Sequence, residues 1–390
     1  MTPSERRWSL AAAISSIAVF GIGIGISQPL LALMLETRGT DSSLNGLNAG
    51  AGFLGVLIGP LLMPRLVARF GFKNFLLTML PLSLVLFLLL KPFDSLGAWF
   101  VLRLLSGISG SSTFAATEAW ISQLAGDTGR GRVMGIYTAS LSAGFAIGPA
   151  LLSVTGIAGW PPFIACAIIE IVAMLPLLAV RGGAQKVDHA GSHPLAMMAR
   201  MKPLVLIVIL FAMYEAATVS LLPVWGARAG LSVAAAASLV SAVFVGAILL
   251  QIPIGYLSDL VGRTTTMRVC AALGIVGAAL LPLLVGYTPA LFVVLVIWGG
   301  FTTGLYPVAL AIIGDRFRGA DLLNANAGLV IAYGTGALIG PILGGGGMDA
   351  WNPHGLIAIL AAMFVVLLLS TWWRADKAPR TPASSTQTAQ

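Results

Sequence analysis

A chain of 390 residues that is 58% hydrophobic and only 9% charged cannot solvate its own exterior, because soluble domains carry roughly a quarter charged residues. Its +8 net charge would suit a nucleic-acid partner, but most of the basic residues stand at the termini and in alternate loops, which is a topology signal rather than a nucleic-acid footprint. The surrounding solvent is lipid, and a crossing helix needs about 20 apolar residues.

The first apolar run, Leu10 to Leu35, is too long for a cleavable signal peptide and leads directly into a repeated pattern. Twelve spans follow on that ruler, at 11–34, 46–67, 74–91, 97–119, 133–153, 161–180, 203–225, 233–255, 269–287, 290–313, 322–345 and 355–373. Span 1 carries Gln28. Span 4 carries Arg103 and, fifteen residues on, Glu118, about 60° further round an ideal helix. Span 6 holds Glu170 near its middle, and span 7 holds Tyr214 and Glu215 near its own. Trp298 and Tyr306 lie in span 10, and Asn324, Asn326 and Tyr333 in span 11. The stretch from Arg181 to Lys202 is the one long polar interior segment and reads as a linker, while the tail after Arg374 is poor in apolar residues and is expected to be disordered.

Eighteen of the 22 Lys and Arg residues stand at the termini or in alternate loops; Arg38, Lys91 and Arg228 lie on the other side and Arg103 within a span. That asymmetry predicts cytoplasmic termini, as an even number of spans requires. Cys166 and Cys270 sit within apolar runs and read as buried thiols rather than a disulfide. His189, His193 and His354 fall in loops without metal-ligand spacing, so no metal or cofactor is expected.

GFAIGPALLS, 144–153, recurs as GALIGPILGG, 336–345, at an offset of 192. GYLSDLVGRT, 255–264, matches PRLVARFGFK, 64–73, at an offset of 191. Two motifs at one period indicate duplication, and parallel six-span repeats place a substrate site near the midplane between the halves. The expected division is a first bundle over 1–180, a linker over 181–202, a second bundle over 203–373 and a tail over 374–390. The fold class is all-α integral membrane, two pseudo-symmetric six-helix bundles.

GYLSDLVGRT resembles the G-x-L-x-D-[RK]-x-G-[RK]-[RK] loop of the major facilitator superfamily, with Leu260 and Thr264 departing from it. GFAIGPALLS, with Gly135 nine residues before Gly144, is similar to the fifth-helix signature of that family's proton-coupled antiporters, G-x8-G-x3-G-P-x2-G-G; Leu152 and Ser153 replace the closing glycines. RLLSG, 103–107, resembles the fourth-helix R-x-x-Q-G signature with Ser106 in place of the glutamine, and the run 300–317 resembles a YcaD-like bacterial branch. The resemblance implies a cavity lined by spans 1, 4, 7 and 10, with spans 3, 6, 9 and 12 peripheral. It implies that Gly255, Asp259, Gly262 and Arg263 form a conformational latch, with Asp259 against a neighbouring helix N-terminus. Arg69, Gly71 and Lys73 are the first copy, in which Ala68 and Pro64 replace the aspartate and the first glycine.

Gly144, Gly148, Gly336 and Gly340 are i,i+4 pairs that let helices approach closely in lipid, and Pro149 and Pro341 each remove a backbone hydrogen bond. With Gly135, Gly344 and Gly345 they are expected to form a bent seam between the halves. An ionisable group at the bilayer centre is costly and marks function by default. Glu215 is the leading proton or substrate carboxylate, followed by Arg103, Glu118 and Glu170. Gln28, Tyr214, Trp298, Tyr306, Asn324, Asn326 and Tyr333 are the cavity candidates. The expected function is alternating access by a monomer in the bacterial inner membrane, with proton-coupled efflux of a small organic or amphipathic compound. A metabolite importer or uniporter on the same fold is the alternative, and a non-transporting sensor a third. No H-E-x-x-H motif or P-loop supports an enzyme.

Overall fold

The computed structural model describes residues 3–125, 130–180, 194–317 and 319–372. Every regular element among them is an α-helix: α1 (Pro3–Thr37), α2 (Ser42–Leu89), α3 (Leu96–Ala125), α4 (Arg130–Thr155), α5 (Pro161–Ala179), α6 (Pro194–Arg200), α7 (Lys202–Arg228), α8 (Val233–Val261), α9 (Arg263–Leu284), α10 (Thr288–Thr303), α11 (Leu305–Arg316), α12 (Gly319–Ala350) and α13 (Gly355–Trp372). α1 is span 1, and α2 runs through spans 2 and 3. α3, α4 and α5 are spans 4 to 6, and α7, α8 and α9 are spans 7 to 9. Span 10 is broken into α10 and α11, and α12 and α13 complete the twelve. The short α6 lies in the expected linker, whose residues 181–193 are outside the described ones, as are the tail residues 373–390.

Local chemistry explains the departures from straight helices. α2 passes from span 2 to span 3 through Gly71, at φ 74°, ψ 161°. α8 gives way to α9 through Gly262, at φ 87°, ψ 149°. Both φ values suit glycine, which has no β-carbon to clash, and the two positions are 191 residues apart. The α10–α11 break at Gly304 stands three residues before Pro307, which has no N–H to return to the Thr303 carbonyl.

The repeat is visible in the packing. α1 lies on α4 as α7 lies on α12; α2 lies on α3 as α8 lies on α10; α1 lies on α5 as α7 lies on α13. Lys73 Nζ donates to the Val180 carbonyl at 2.5 Å, and Arg268 Nη2 to the Thr371 carbonyl at 3.2 Å. In each half a cation thus caps the last turn of the sixth span, where the helix dipole favours positive charge.

Between the halves, α2 packs on α12 and α4 on α8, again a symmetric pair, while α1 meets α7. Ser220 Oγ donates to Gln28 Oε1 at 3.3 Å, and Arg228 holds Glu36 at 2.6 and 2.8 Å. Both pairs are separated by 192 residues, the repeat period. A residue that touches its own repeat image lies on the pseudo-two-fold axis, so α1 and α7 flank that axis.

Helix approach is set by missing side chains. A β-carbon at Gly107 would fall 2.0 Å from the Gly52 carbonyl oxygen, and one at Gly55 2.3 Å from that of Leu104. α2 and α3 therefore touch backbone to backbone, which gains dispersion contacts that lipid cannot supply. Gly107→Val is expected to cost about 1–3 kcal/mol of stability through overpacking, read as a lower thermal midpoint of the purified protein. An unchanged midpoint would contradict this packing.

Candidate functional site

α7 is the most enclosed of the long helices, because it packs on α8, α12 and α13 of its own half and on α1 of the other. Along it, only Glu215 breaks an otherwise continuous buried run from Leu210 to Gly226. Tyr333 Oη donates to Glu215 Oε2 at 2.5 Å, and the glutamate is partly exposed. Phe211, one turn earlier on α7, stacks on Tyr306 at 5.5 Å and 18°, and Tyr306 meets Tyr333 edge-on at 5.9 Å. These rings give the carboxylate an aromatic frame, and Glu118 of α3 reaches Tyr306 electrostatically from the other half. Glu118 itself is exposed on α3.

Two cavity expectations are corrected. Tyr214 and Trp298 are 1% and 2% exposed and belong to the core of the second half. Tyr214 Oη meets Thr302 Oγ1 at 2.6 Å, and its ring stands edge-on to Trp298 at 5.2 Å and 89°. Trp298 Nε1 donates to the Gly274 carbonyl at 2.9 Å. Successive helical positions diverge by about 100°, so Glu215 takes the cavity side and Tyr214 the core side. Asn326 is exposed on α12; the side chain of Asn324 lies outside the described residues.

In the first half Arg103 is 4% exposed. It donates through Nη1 to Asn48 Oδ1 at 3.0 Å and through Nη2 to Gln28 Oε1, the oxygen that also accepts from Ser220. Among the described residues no carboxylate is ion-paired with it. Glu170, on the sixth span, faces inward at 5% exposure. It shares with Arg103 the wall of a cavity of about 110 Å³ between α1, α2, α3 and α5. The sequence held one usable signal, since Gly23 clears its space: a β-carbon there would lie 3.0 Å from Glu170 Oε1.

The glycine strips pack closely, but within each half rather than between the halves. β-Carbons at Gly144 and Gly148 would fall 2.7 Å from the Ala18 carbonyl oxygen and 2.6 Å from Gly25, both on α1. At Gly336 and Gly340 they would fall 2.2 and 2.1 Å from carbonyl oxygens of α7, and Gly344 faces Leu356 and Leu221. Pro149 and Pro341 lie inside α4 and α12, and Gly135 is helical in α4 with its surroundings outside the described residues. The seam between halves is built by Gly345 against Ser42 and by Gly46 against Pro341, with carbonyl approaches of 2.2 and 2.1 Å. Gly46 escaped the sequence analysis because it stands outside the G-x3-G-P stretch of α2, Gly55 to Pro60.

Polar contacts joining the halves gather at the end opposite the termini. Asp349 accepts from the backbone N–H groups of Ser42 and Ser43 at 2.9 and 2.8 Å, and Ser153 Oγ lies 2.5 Å from Ser238 Oγ. Ser241 Oγ donates to the Ala146 carbonyl at 2.8 Å, with Phe145 stacked on Phe244 beside it. Asp259 and Arg263 pair at 3.2 Å, and Arg263 also holds Asp315 at 3.0 Å, so these contacts stay within the second half. Asp259 is largely exposed rather than set against a helix N-terminus, and Gly255 faces open space. In the first copy Arg69 lies over the Phe70 ring.

The sequence profile of the Major Facilitator Superfamily matches residues 13–240 and 204–389. YfkF of Bacillus subtilis, an uncharacterized MFS-type transporter, is 27% identical over 376 residues, covering 92% of each chain. YcaD of Escherichia coli, likewise uncharacterized, is 24% identical over 378 residues, covering 94% of this chain and 96% of the relative. Among solved structures, the nucleoside transporter NupG superposes with a TM-score of 0.78 at 16% identity, covering 94% and 98% of the two chains. A bacterial homologue of the lysosomal transporter Spinster, inward-facing and unoccupied, gives 0.73 at 14% identity over 96% and 97%.

Proposed function

The chain belongs to the major facilitator superfamily of membrane transporters, and we propose that within it this protein exports a small organic compound in exchange for protons. The observation that carries the reading is the polar joining of the halves at the end opposite the termini, together with a partly exposed carboxylate, Glu215, held by Tyr333 in the middle of α7. We place the terminal end in the cytoplasm of a bacterial inner membrane, since the basic loops lie there. The state is then open inward. Arg103, Gln28, Tyr306, Tyr333 and the acidic residues serve one chain's cavity, so a monomer suffices, acting as a transporter and not as an enzyme.

Glu215 is the proposed coupling carboxylate. It can exchange its proton with whichever side the cavity faces, and the tyrosine hydroxyl orients it. The Asp259–Arg263–Asp315 group, confined to the second half in this state, serves as a latch only if the first half docks on it when the terminal end closes; exposed ion pairs are worth roughly 0–1 kcal/mol, enough to bias two near-equal states.

Import is the second reading, favoured by the likeness in fold to NupG, a nucleoside transporter. Counterflow of candidate solutes in proteoliposomes, with and without an imposed pH gradient, separates the two. Exchange driven uphill by an opposing proton gradient is expected; solute movement indifferent to the gradient would reject proton coupling and leave a uniporter.

A further inference from the structure

Arg103 and Glu170 share a cavity wall without pairing with each other. Glu170 Oε1 accepts from the Cys166 thiol at 3.6 Å, while Oε2 is buried with no partner. Ser106, on the same wall, also has a buried hydroxyl with no partner. Buried polar atoms without partners are exceptions that call for an explanation, and here two of them belong to residues that line one space. The cavity, about 110 Å³, far exceeds the roughly 10–15 Å³ that one water needs, and it offers the two to four polar partners that hold a water in place.

We infer that this cavity is a water-holding proton site in which Glu170 is the protonatable group, separate from Glu215 in the other half. The inference rests on the proton-coupled reading for its consequence in transport. α3 supplies Arg103, the one other charged group on the wall; α5 supplies Cys166; α1 supplies Gly23, Ser27 and Gln28, and α2 supplies Gly52 and Ser83, none of them charged. When Glu170 ionises, its O–H bond breaks, the proton passes to a cavity water, and the new carboxylate faces the Arg103 guanidinium across that water. Arg103 is permanently charged, so it favours the ionised form.

The site is connected to the motion of the halves. Gln28 Oε1 accepts both from Arg103 and from Ser220 of the second half. Separating the halves along the axis removes the Ser220 donor and leaves Gln28 to Arg103 alone. The position of the guanidinium, and with it the protonation of Glu170, then depends on which end of the transporter is closed.

Infrared difference spectra of the full-length protein in lipid nanodiscs, taken through a pH titration, test this. The expected result is a carboxylic-acid C=O band that grows as pH falls, shifts on transfer into D2O and is lost in Glu170→Gln. Ser220→Ala should move its titration midpoint, and Glu215→Gln should leave the band in place. Loss of transport in that last variant is therefore independent of this site. Identical titrating bands in wild type and Glu170→Gln, or a band indifferent to D2O, would overturn the inference. Should Glu170→Gln not fold, Ser106→Ala decides: the band must change frequency as one water partner is lost, and an unmoved band overturns the site.

Discussion

Glu215→Gln is expected to fold normally and to lose roughly a hundredfold or more of proton-driven transport, the scale of removing a positioned proton-transfer group. The amide keeps the shape of the carboxyl and can still accept from Tyr333, whose hydroxyl lies 2.5 Å from Oε2. It cannot release a proton. Exchange of solute across the membrane without net proton movement should therefore survive, because the aromatic frame of Phe211, Tyr306 and Tyr333 is untouched. Tyr333→Phe removes only the orienting hydrogen bond, and a milder loss is expected. Uptake into proteoliposomes under an imposed pH gradient, compared with equilibrium exchange in the same vesicles, measures both. Normal gradient-driven transport by Glu215→Gln would remove this carboxylate from the mechanism.

Arg228→Ala is expected to open the end opposite the termini. The guanidinium grips Glu36 through Nε and Nη2, with both side chains about one-fifth exposed, and Nη1 reaches Asn352 at 3.3 Å. Bidentate pairs of this kind are stronger than exposed ones. Removing the arginine also leaves Glu36 partly buried without its cation, so the closed state should lose about 1.5–3 kcal/mol. That corresponds to a shift of roughly 10- to 150-fold in the balance between the two states. Distances between spin labels placed across that end should lengthen in the variant. A distribution that matches wild type would mean that the pair does not hold the end closed.

The parts of the fold that follow from one-dimensional rules were legible in the sequence. Span length and loop charge gave twelve crossings, and the glycine at position 71 or 262 needed for a positive φ marked each equivalent turn. What depended on helix rotation was not. Tyr214 and Glu215 are neighbours in sequence, yet one packs on Trp298 and the other meets Tyr333; nothing in a continuous apolar run states which face turns inward. That Glu170 shares a wall with Arg103 was hidden for the same reason. The glycine strips announced close packing but not the partner, since each helix that carries one meets a helix of its own half and a helix of the other. The axis contacts at Gln28–Ser220 and Glu36–Arg228 were latent in the repeat period and needed the helices to be docked before they had meaning.

Two rigid bundles that rock about a central axis must break their contacts at the closed end in every cycle. Ser153 and Ser238 place their hydroxyl oxygens 2.5 Å apart across that end, and both native cysteines are buried. In the double variant Ser153→Cys with Ser238→Cys, oxidation should join the halves, stop transport and let a reductant restore it. Transport that continues undiminished with the disulfide formed would show that these bundles do not part there.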